Sequence, residues 1–169
     1  KTIFTVIRLI IDKFYKLFDF LEDNITQTNI KVVGVGNGGL KVLEYLSNNN
    51  FVLNCPHYAC ELIYIDSDES NYKTSNINSK LFFSKATFRL EGGFEYLSFF
   101  ETRVKSLLKD TDMVFIVCGA GGETSSIVAP IVAKVCKEMN ILATSICSKP
   151  FAFEDERRKL LSIVSLREI

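Results

Sequence analysis

What most constrains this chain is a pattern that occurs twice: a short apolar run that passes without a break into glycines and then into helical periodicity. Lys31 to Val35 enters Gly34-Val35-Gly36-Asn37-Gly38-Gly39, after which Leu40 to Leu46 has helical spacing and Ser47-Asn48-Asn49-Asn50 ends it. Met113 to Val117 enters Cys118-Gly119-Ala120-Gly121-Gly122-Glu123-Thr124-Ser125-Ser126, and Ser125 to Met139 reads as a helix with Pro130 in its first turns. Strand, glycine turn, helix is the first half of a parallel βαβ unit. The apolar runs do not alternate with polar residues, which predicts strands covered on both faces. Glu61 to Ile65 supplies a further strand ending in Asp66-Ser67-Asp68, Leu81 to Leu90 reads as a short strand and loop, and Phe94 to Lys109 as a helix. Ile141 to Cys147 is a last strand, and Phe153 to Ile169 a helix with a strongly charged start. Strands alternating with helices predict an α/β fold, a doubly wound, mostly parallel sheet with helices on both faces.

The 169 residues, 47% of them hydrophobic, suffice for one domain with a core. Twenty basic and twenty acidic side chains cancel, so no global field recruits nucleic acid. Five cysteines, an odd number scattered over apolar segments, fit reduced thiols and a cytoplasmic setting better than a disulfide scaffold. Arg8, Asp12 and Lys13 interrupt the most hydrophobic segment, so no run reaches the ~18 to 20 residues of a transmembrane helix. Between Thr2 and Asp23 the polar residues Thr5, Arg8, Asp12, Lys16, Asp19 and Asp23 recur every three or four positions, with Ile3, Ile7, Ile10, Phe14, Leu17 and Leu21 opposite. That is a long amphipathic helix, read as packing on the domain's own core; docking on a partner protein or a membrane surface is the alternative. Asn24 to Asn29 reads as a linker, giving a helix and linker over 1–29 and a nucleotide-binding domain over 30–169. A chain that opens on Lys1 and stops in a helical pattern at Ile169 is expected to be a fragment of a longer one.

In an open parallel sheet, ligands bind beyond the carboxyl ends of the strands. The first loop matches G-x-G-x-x-G: its glycines let backbone N–H groups approach a phosphate, and the following helix adds partial positive charge, although such a turn also serves packing alone. Asp66 is placed to accept ribose hydroxyls in a dinucleotide-binding fold, or else caps a turn with Asp68. A nicotinamide-dependent oxidoreductase therefore stays open. A second glycine turn is more than a dinucleotide fold needs, and a pair of them wraps a chain of phosphates from both sides. After the fifth strand, Glu154 offers a carboxylate to ribose and Arg158, one turn on, a cation to phosphate; the ordinary alternative is a solvated i,i+4 pair. Cys55-Pro56-His57-Tyr58-Ala59-Cys60 has too few ligands for structural zinc and reads as a loop, and Cys118 reads as a small side chain under a glycine turn.

In this order the motifs resemble the GTP-binding domain of the tubulin/FtsZ family. The matching stretches are Lys31 to Gly39, Tyr64-Ile65-Asp66-Ser67-Asp68, Asp112 to Thr124 with Ala129-Pro130, and Lys149-Pro150-Phe151-Ala152-Phe153-Glu154, so the likeness covers 31–169. The resemblance implies GTP or GDP as ligand, with Mg2+, and head-to-tail self-association or pairing with another FtsZ-like subunit in a cytoplasmic cell-division cytoskeleton. It implies contacts to phosphates from Asn37, Gly38 and Gly39 in the first loop and from Gly121, Gly122 and Thr124 in the second, with Glu154 on the ribose side and Arg158 on the phosphate side; Gly36, Asp66, Glu123 and Ser125 complete the candidate nucleotide-binding set. In that family hydrolysis uses an acidic loop from a second domain of the neighbouring subunit, which this sequence does not contain.

The departures centre on one residue. Where the family reads Gly-Gly-Gly-Thr-Gly-Thr-Gly, this chain reads Gly121-Gly122-Glu123-Thr124-Ser125-Ser126-Ile127, and Leu40 and Lys41 replace an expected glycine and asparagine. A carboxylate a few ångströms from a triphosphate costs about 1–4 kcal/mol at dielectrics between water and a protein surface. Either Glu123 points outward, or the site is degenerate and hydrolysis weakened, or a cation bridges Glu123 to a phosphate. A protein that keeps the fold without the nucleotide, as a scaffold regulating a division protein, is the remaining alternative.

Overall fold

The computed structural model describes residues 28–48, 58–90 and 93–169. The amphipathic segment Thr2 to Asp23, and Cys55 and His57 of the cysteine-rich loop, lie outside the described residues. Strand β1 (Thr28–Val35) leads into helix α1 (Gly36–Asn48), and β2 (Tyr58–Asp66) into α2 (Glu69–Thr74) and β3 (Ser79–Phe82). Helices α3 (Lys85–Leu90) and α4 (Phe94–Leu107) precede β4 (Met113–Gly119), which runs into α5 (Glu123–Glu138), β5 (Leu142–Ser148) and α6 (Glu156–Glu168). All five strands are parallel, in the order β3-β2-β1-β4-β5.

Both faces of the sheet are covered, as the unbroken apolar runs predict. Val33, Val35, Ile63, Ile65, Val114 and Ile116 point to one side, where Phe100 and Val104 of α4 and Val128, Val132 and Val135 of α5 bury them. Their neighbours Val32, Tyr64, Phe115 and Val117 point to the other, against Leu40, Leu43 and Leu46 of α1. The three leucines recur at helical spacing on the face that α1 turns to the sheet.

The strand order sets the place where a ligand can enter. From β1 the chain passes through α1 to β2 on one side, and from β4 through α5 to β5 on the other. With α1 and α5 on opposite faces, the exits of β1 and β4 part from each other and leave a crevice at the carboxyl edge.

Three local readings shift. The strand β1 begins at Thr28, so the last two residues of the linker reading belong to the sheet. Polar contacts hold that end: Asn29 N donates to Asp112 Oδ2 at 2.8 Å and Asp112 N to the Asn29 carbonyl at 2.9 Å. The ambiguous Leu81 to Leu90 segment resolves into β3 and α3, pinned by Phe83, whose ring meets Phe100 at 5.0 Å, Tyr96 at 5.4 Å and Phe88 at 5.7 Å between centroids. Helix α6 starts at Glu156, where Asp155 caps it by accepting from Arg157 N.

The glycines of the first loop have a packing role of their own. A Cβ on Gly39 would lie 2.6 Å from the carbonyl carbon of Gly34 and 2.7 Å from the carbonyl oxygen of Val117, backbone atoms that cannot swing aside. Helix α1 therefore sits on β1 and β4 at a distance only glycine allows. Replacing Gly39 with Ala is expected to destabilise the fold by about 2–3 kcal/mol, lowering Tm in thermal denaturation by about 5–10 °C, whereas Lys41→Ala on the exposed side leaves it within about 1–2 °C.

Candidate functional site

The two glycine loops are each the first turn of a helix. Helix α1 begins at Gly36, so Asn37, Gly38 and Gly39, expected in a loop, are helical residues, and the amides of Gly36, Asn37 and Gly38 have no acceptor within the helix. Helix α5 begins at Glu123 with Gly122 as N-cap, which puts the amides of Glu123, Thr124 and Ser125 in the same position. Gly36 at φ +68° and Gly121 at φ +86° make the reversals that aim the two N-termini at one edge. The loops touch: a Cβ on Gly38 would stand 3.2 Å from the Gly119 nitrogen, and one on Gly36 3.8 Å from Cβ of Thr124. Two positive helix ends from opposite faces of the sheet thus converge where β1 and β4 part.

Beneath them lies a polar cluster. Asp66 is 2% exposed and accepts hydrogen bonds from Tyr64 Oη at 2.5 Å, Ser67 N at 2.7 Å, Asp68 N at 3.3 Å and Thr124 Oγ1 at 3.3 Å. Burial first, and the Asp66 contact second, push the Tyr64 phenol above its ordinary range, so it stays a donor. Ser67 Oγ and Thr124 Oγ1 are 2.5 Å apart. The cluster ties β2 to the start of α5, and Asp66 reaches the crevice through Thr124 rather than with its own oxygens. Asp68 caps α2 by accepting from Ser70 N and Asn71 N, the turn-capping role open for it in the sequence.

Glu123 is turned toward cations. Its oxygens lie 3.1 Å from Lys85 Nζ and 3.2 Å from Arg157, with the side chain 47% exposed. Lys85 first, and Arg157 after it, hold the carboxyl below its usual range. Neither cation stands out in the sequence, since Lys85 lies on a segment with no clear periodicity and Arg157 is off the i,i+4 spacing that singles out Arg158. Glu154 and Arg158 pair with each other at 2.6 Å, and Glu154 also accepts from Phe151 N at 2.9 Å, so this pair takes the ordinary i,i+4 form. The backbone of α6 covers the second loop, because a Cβ on Gly121 would lie 2.3 Å from the Arg158 carbonyl oxygen. Ser125 Oγ donates to the Gly119 carbonyl at 2.5 Å and fixes the loop. Ser126, not singled out from the sequence, leaves its buried Oγ without a partner among the described residues.

Among the described residues, no group of three His, Cys, Asp or Glu side chains comes together to hold a metal ion, and no helix is long and apolar enough to cross a membrane. The family model for the GTPase domain of the Tubulin/FtsZ family matches residues 29–169. Similar proteins include the cell division protein FtsZ of Aquifex aeolicus, 30% identical over 88% of this chain and 41% of that protein. Another is the FtsZ of Buchnera aphidicola subsp. Baizongia pistaciae, 34% identical over 83% of this chain and 37% of its own length. The chain thus spans about two-fifths of these relatives. An empty FtsZ dimer from M. jannaschii shares the fold with a TM-score of 0.70 at 23% identity, over 92% of this chain and 45% of that one. A CetZ from Methanosaeta thermophila gives 0.65 at 20%, over 82% and 42%.

Because every Asp66 contact draws on its acceptor capacity, Asp66→Asn is expected to lower stability by about 1–3 kcal/mol with no nucleotide present, read as a lower urea midpoint at unchanged slope. The lowered carboxyl of Glu123 makes its ion pairs fully effective above the ordinary value of 4.5 and ineffective as pH falls through the lowered one. For so exposed a group the effect is at most about 1 kcal/mol, and Glu123→Gln should remove that share of the acid sensitivity of Tm as pH falls below 4.5.

Proposed function

The chain belongs to the tubulin/FtsZ family, and on that premise we propose that it binds GTP or GDP across the edge where β1 and β4 part. The observation that carries the reading is the convergence of two helix N-termini, each entered through a positive-φ glycine turn, on one crevice, so close that a Cβ added at Gly38 would stand 3.2 Å from the Gly119 nitrogen. The amides of Gly36, Asn37 and Gly38 and those of Gly121, Gly122, Thr124 and Ser125 supply donors to the phosphates, and Gly39 lets that first turn sit close against the sheet. Glu154 serves the ribose and Arg158 the phosphate side once their mutual pair opens, and Asp66 acts from below by orienting Thr124. Mg2+ accompanies the phosphates; the hydroxyls at the start of α5, that of Ser126 among them, are oxygen donors of the kind it takes.

Glu123 weakens this site without destroying it. Its charge opposes a triphosphate, but Lys85 and Arg157 offset much of it, and both cations are then engaged with Glu123 rather than with phosphate. The reading is therefore a degenerate phosphate signature with reduced affinity and weakened hydrolysis. The likeness to a protein described as an FtsZ dimer supports self-association, with a second copy or another FtsZ-like subunit, in a cytoplasmic division cytoskeleton at the division site. A nicotinamide enzyme is less well supported, because the Asp66 oxygens that would take its ribose are bonded inside the protein.

In a thermal-shift series, GTP or GDP at about a hundred times its dissociation constant should add about 2.7 kcal/mol, a rise of about 5–10 °C, with ATP and NADH inactive. A shift with NADH alone, or with no nucleotide, would refute the reading. Glu123→Gln removes the opposing charge and frees both cations, so calorimetry should find GTP bound about five- to tenfold more tightly, about 1–1.4 kcal/mol.

A further inference from the structure

Among the described residues, two thiols meet below the second glycine loop. In the parallel pairing of β4 with β5, Cys118 stands directly opposite Cys147, on the face covered by α4 and α5. Their Sγ atoms are 3.3 Å apart. Neighbouring strands place their Cα atoms about 4.8 Å apart, inside the range of about 4.4–6.8 Å that a disulfide spans, and the sulfurs need to close by about 1.3 Å. No strand has to slip for the bond to form.

We propose that Cys118 and Cys147 are a reversible redox pair that closes into a cross-strand disulfide at the base of the second glycine loop. Several observations agree on it. Cys118 is followed by Gly119, the last residue of β4, and Cys147 by Ser148, whose carbonyl accepts from Ala120 N at 2.9 Å. The bond therefore fixes the two strands at the point where both chains leave the sheet. Cys118 is buried, whereas Cys147 is only partly so and open to a small oxidant. Its greater exposure makes Cys147 the sulfur that a peroxide reaches first and so the nucleophile, and its contact with Cys118 favours the Cys147 thiolate. By contrast burial, with Glu61 beside it, pushes the Cys60 thiol up to about 12, and burial pushes Cys136 up to about 11.

The oxidant is a hydroperoxide. The Cys147 thiolate attacks one peroxide oxygen and becomes a sulfenic acid, while the second oxygen leaves as hydroxide and takes up a proton to form water. Cys118 then loses its proton and attacks the sulfenic sulfur, the S–O bond breaks, and a second water departs. Two thiols are oxidised by two electrons in all, and one peroxide is reduced to two waters. A dithiol reverses the bond by exchange. This pair goes beyond nucleotide binding and stands independently of it.

The test is to treat the full chain with hydrogen peroxide, unfold it in the presence of iodoacetamide, digest it and weigh the peptides. The expected product joins the Cys118 and Cys147 peptides with the loss of two hydrogens, leaves Cys60 and Cys136 alkylated, and disappears after dithiothreitol. The oxidised chain should melt about 5–10 °C higher, because the bond closes a loop of about 30 residues in the unfolded state. Cys147→Ala should abolish both the linked peptide and the shift, and Cys136→Ala should keep both. Full alkylation of Cys118 and Cys147 after peroxide, or a bond from Cys147 to any other cysteine or to a second chain, would overturn the proposal.

Discussion

The structure depends on how closely α1 can approach the sheet. With no side chain at Gly39, the helix backbone comes to within van der Waals contact of Gly34 and of the Val117 carbonyl, touching two adjacent strands at once. That contact lets Leu40, Leu43 and Leu46 reach Val32, Phe115 and Val117. It also brings the N-terminus of α1 level with the end of β4. Because α5 leaves β4 on the opposite face, the same approach sets the positive ends of two helices against one crevice. The packing requirement and the proposed phosphate-binding arrangement thus share one geometry: the close seating at Gly39 presents the uncovered amides of the first turn at this edge.

Glu123 is where this chain departs from a simple anion site. At the first position of α5 a carboxylate is favoured by the helix dipole, which is a sufficient reason for it to be stable there. The same field that attracts a phosphate attracts Glu123, and Lys85 and Arg157 gather around it from α3 and α6. The carboxylate acts as an internal competitor for the positive charge at this edge. Its exposure keeps the competition mild, since solvent screens all three groups. On the proposed reading, such a site would bind its ligand with a reduced margin.

Much of the fold was legible in the sequence because its strongest signals are local. The apolar runs Lys31 to Val35 and Met113 to Val117 could only be strands covered on both sides, and the glycines after them marked the helix starts. The second loop was found for the same reason, although the helix begins at Glu123 rather than Ser125, since the N-cap is a glycine and offers no side chain to signal the start. The start of β1 was not legible, because Thr28 pairs with Tyr58 and Asn29 is held by Asp112, residues far along the chain. Long-range partners also account for the site residues that the sequence left unread. Nothing near Lys85 says that it faces Glu123, and nothing near Asp66 says that its oxygens go to Tyr64 and Thr124. Glu154 and Arg158 present the reverse case: their spacing showed that they could meet, and they do, though spacing alone says nothing of what else they touch.

The central claim, that guanine nucleotide phosphates sit between two helix N-termini at the parting of β1 and β4, is tested most directly by the backbone amides themselves. Uniformly 15N-labelled chain titrated with GTP in Mg2+ should show its largest amide shifts at Asn37, Gly38 and Gly39 together with Glu123, Thr124 and Ser125, saturating along one curve. Shifts confined to one loop, shifts centred elsewhere on the sheet, or an unchanged spectrum at millimolar nucleotide would contradict it.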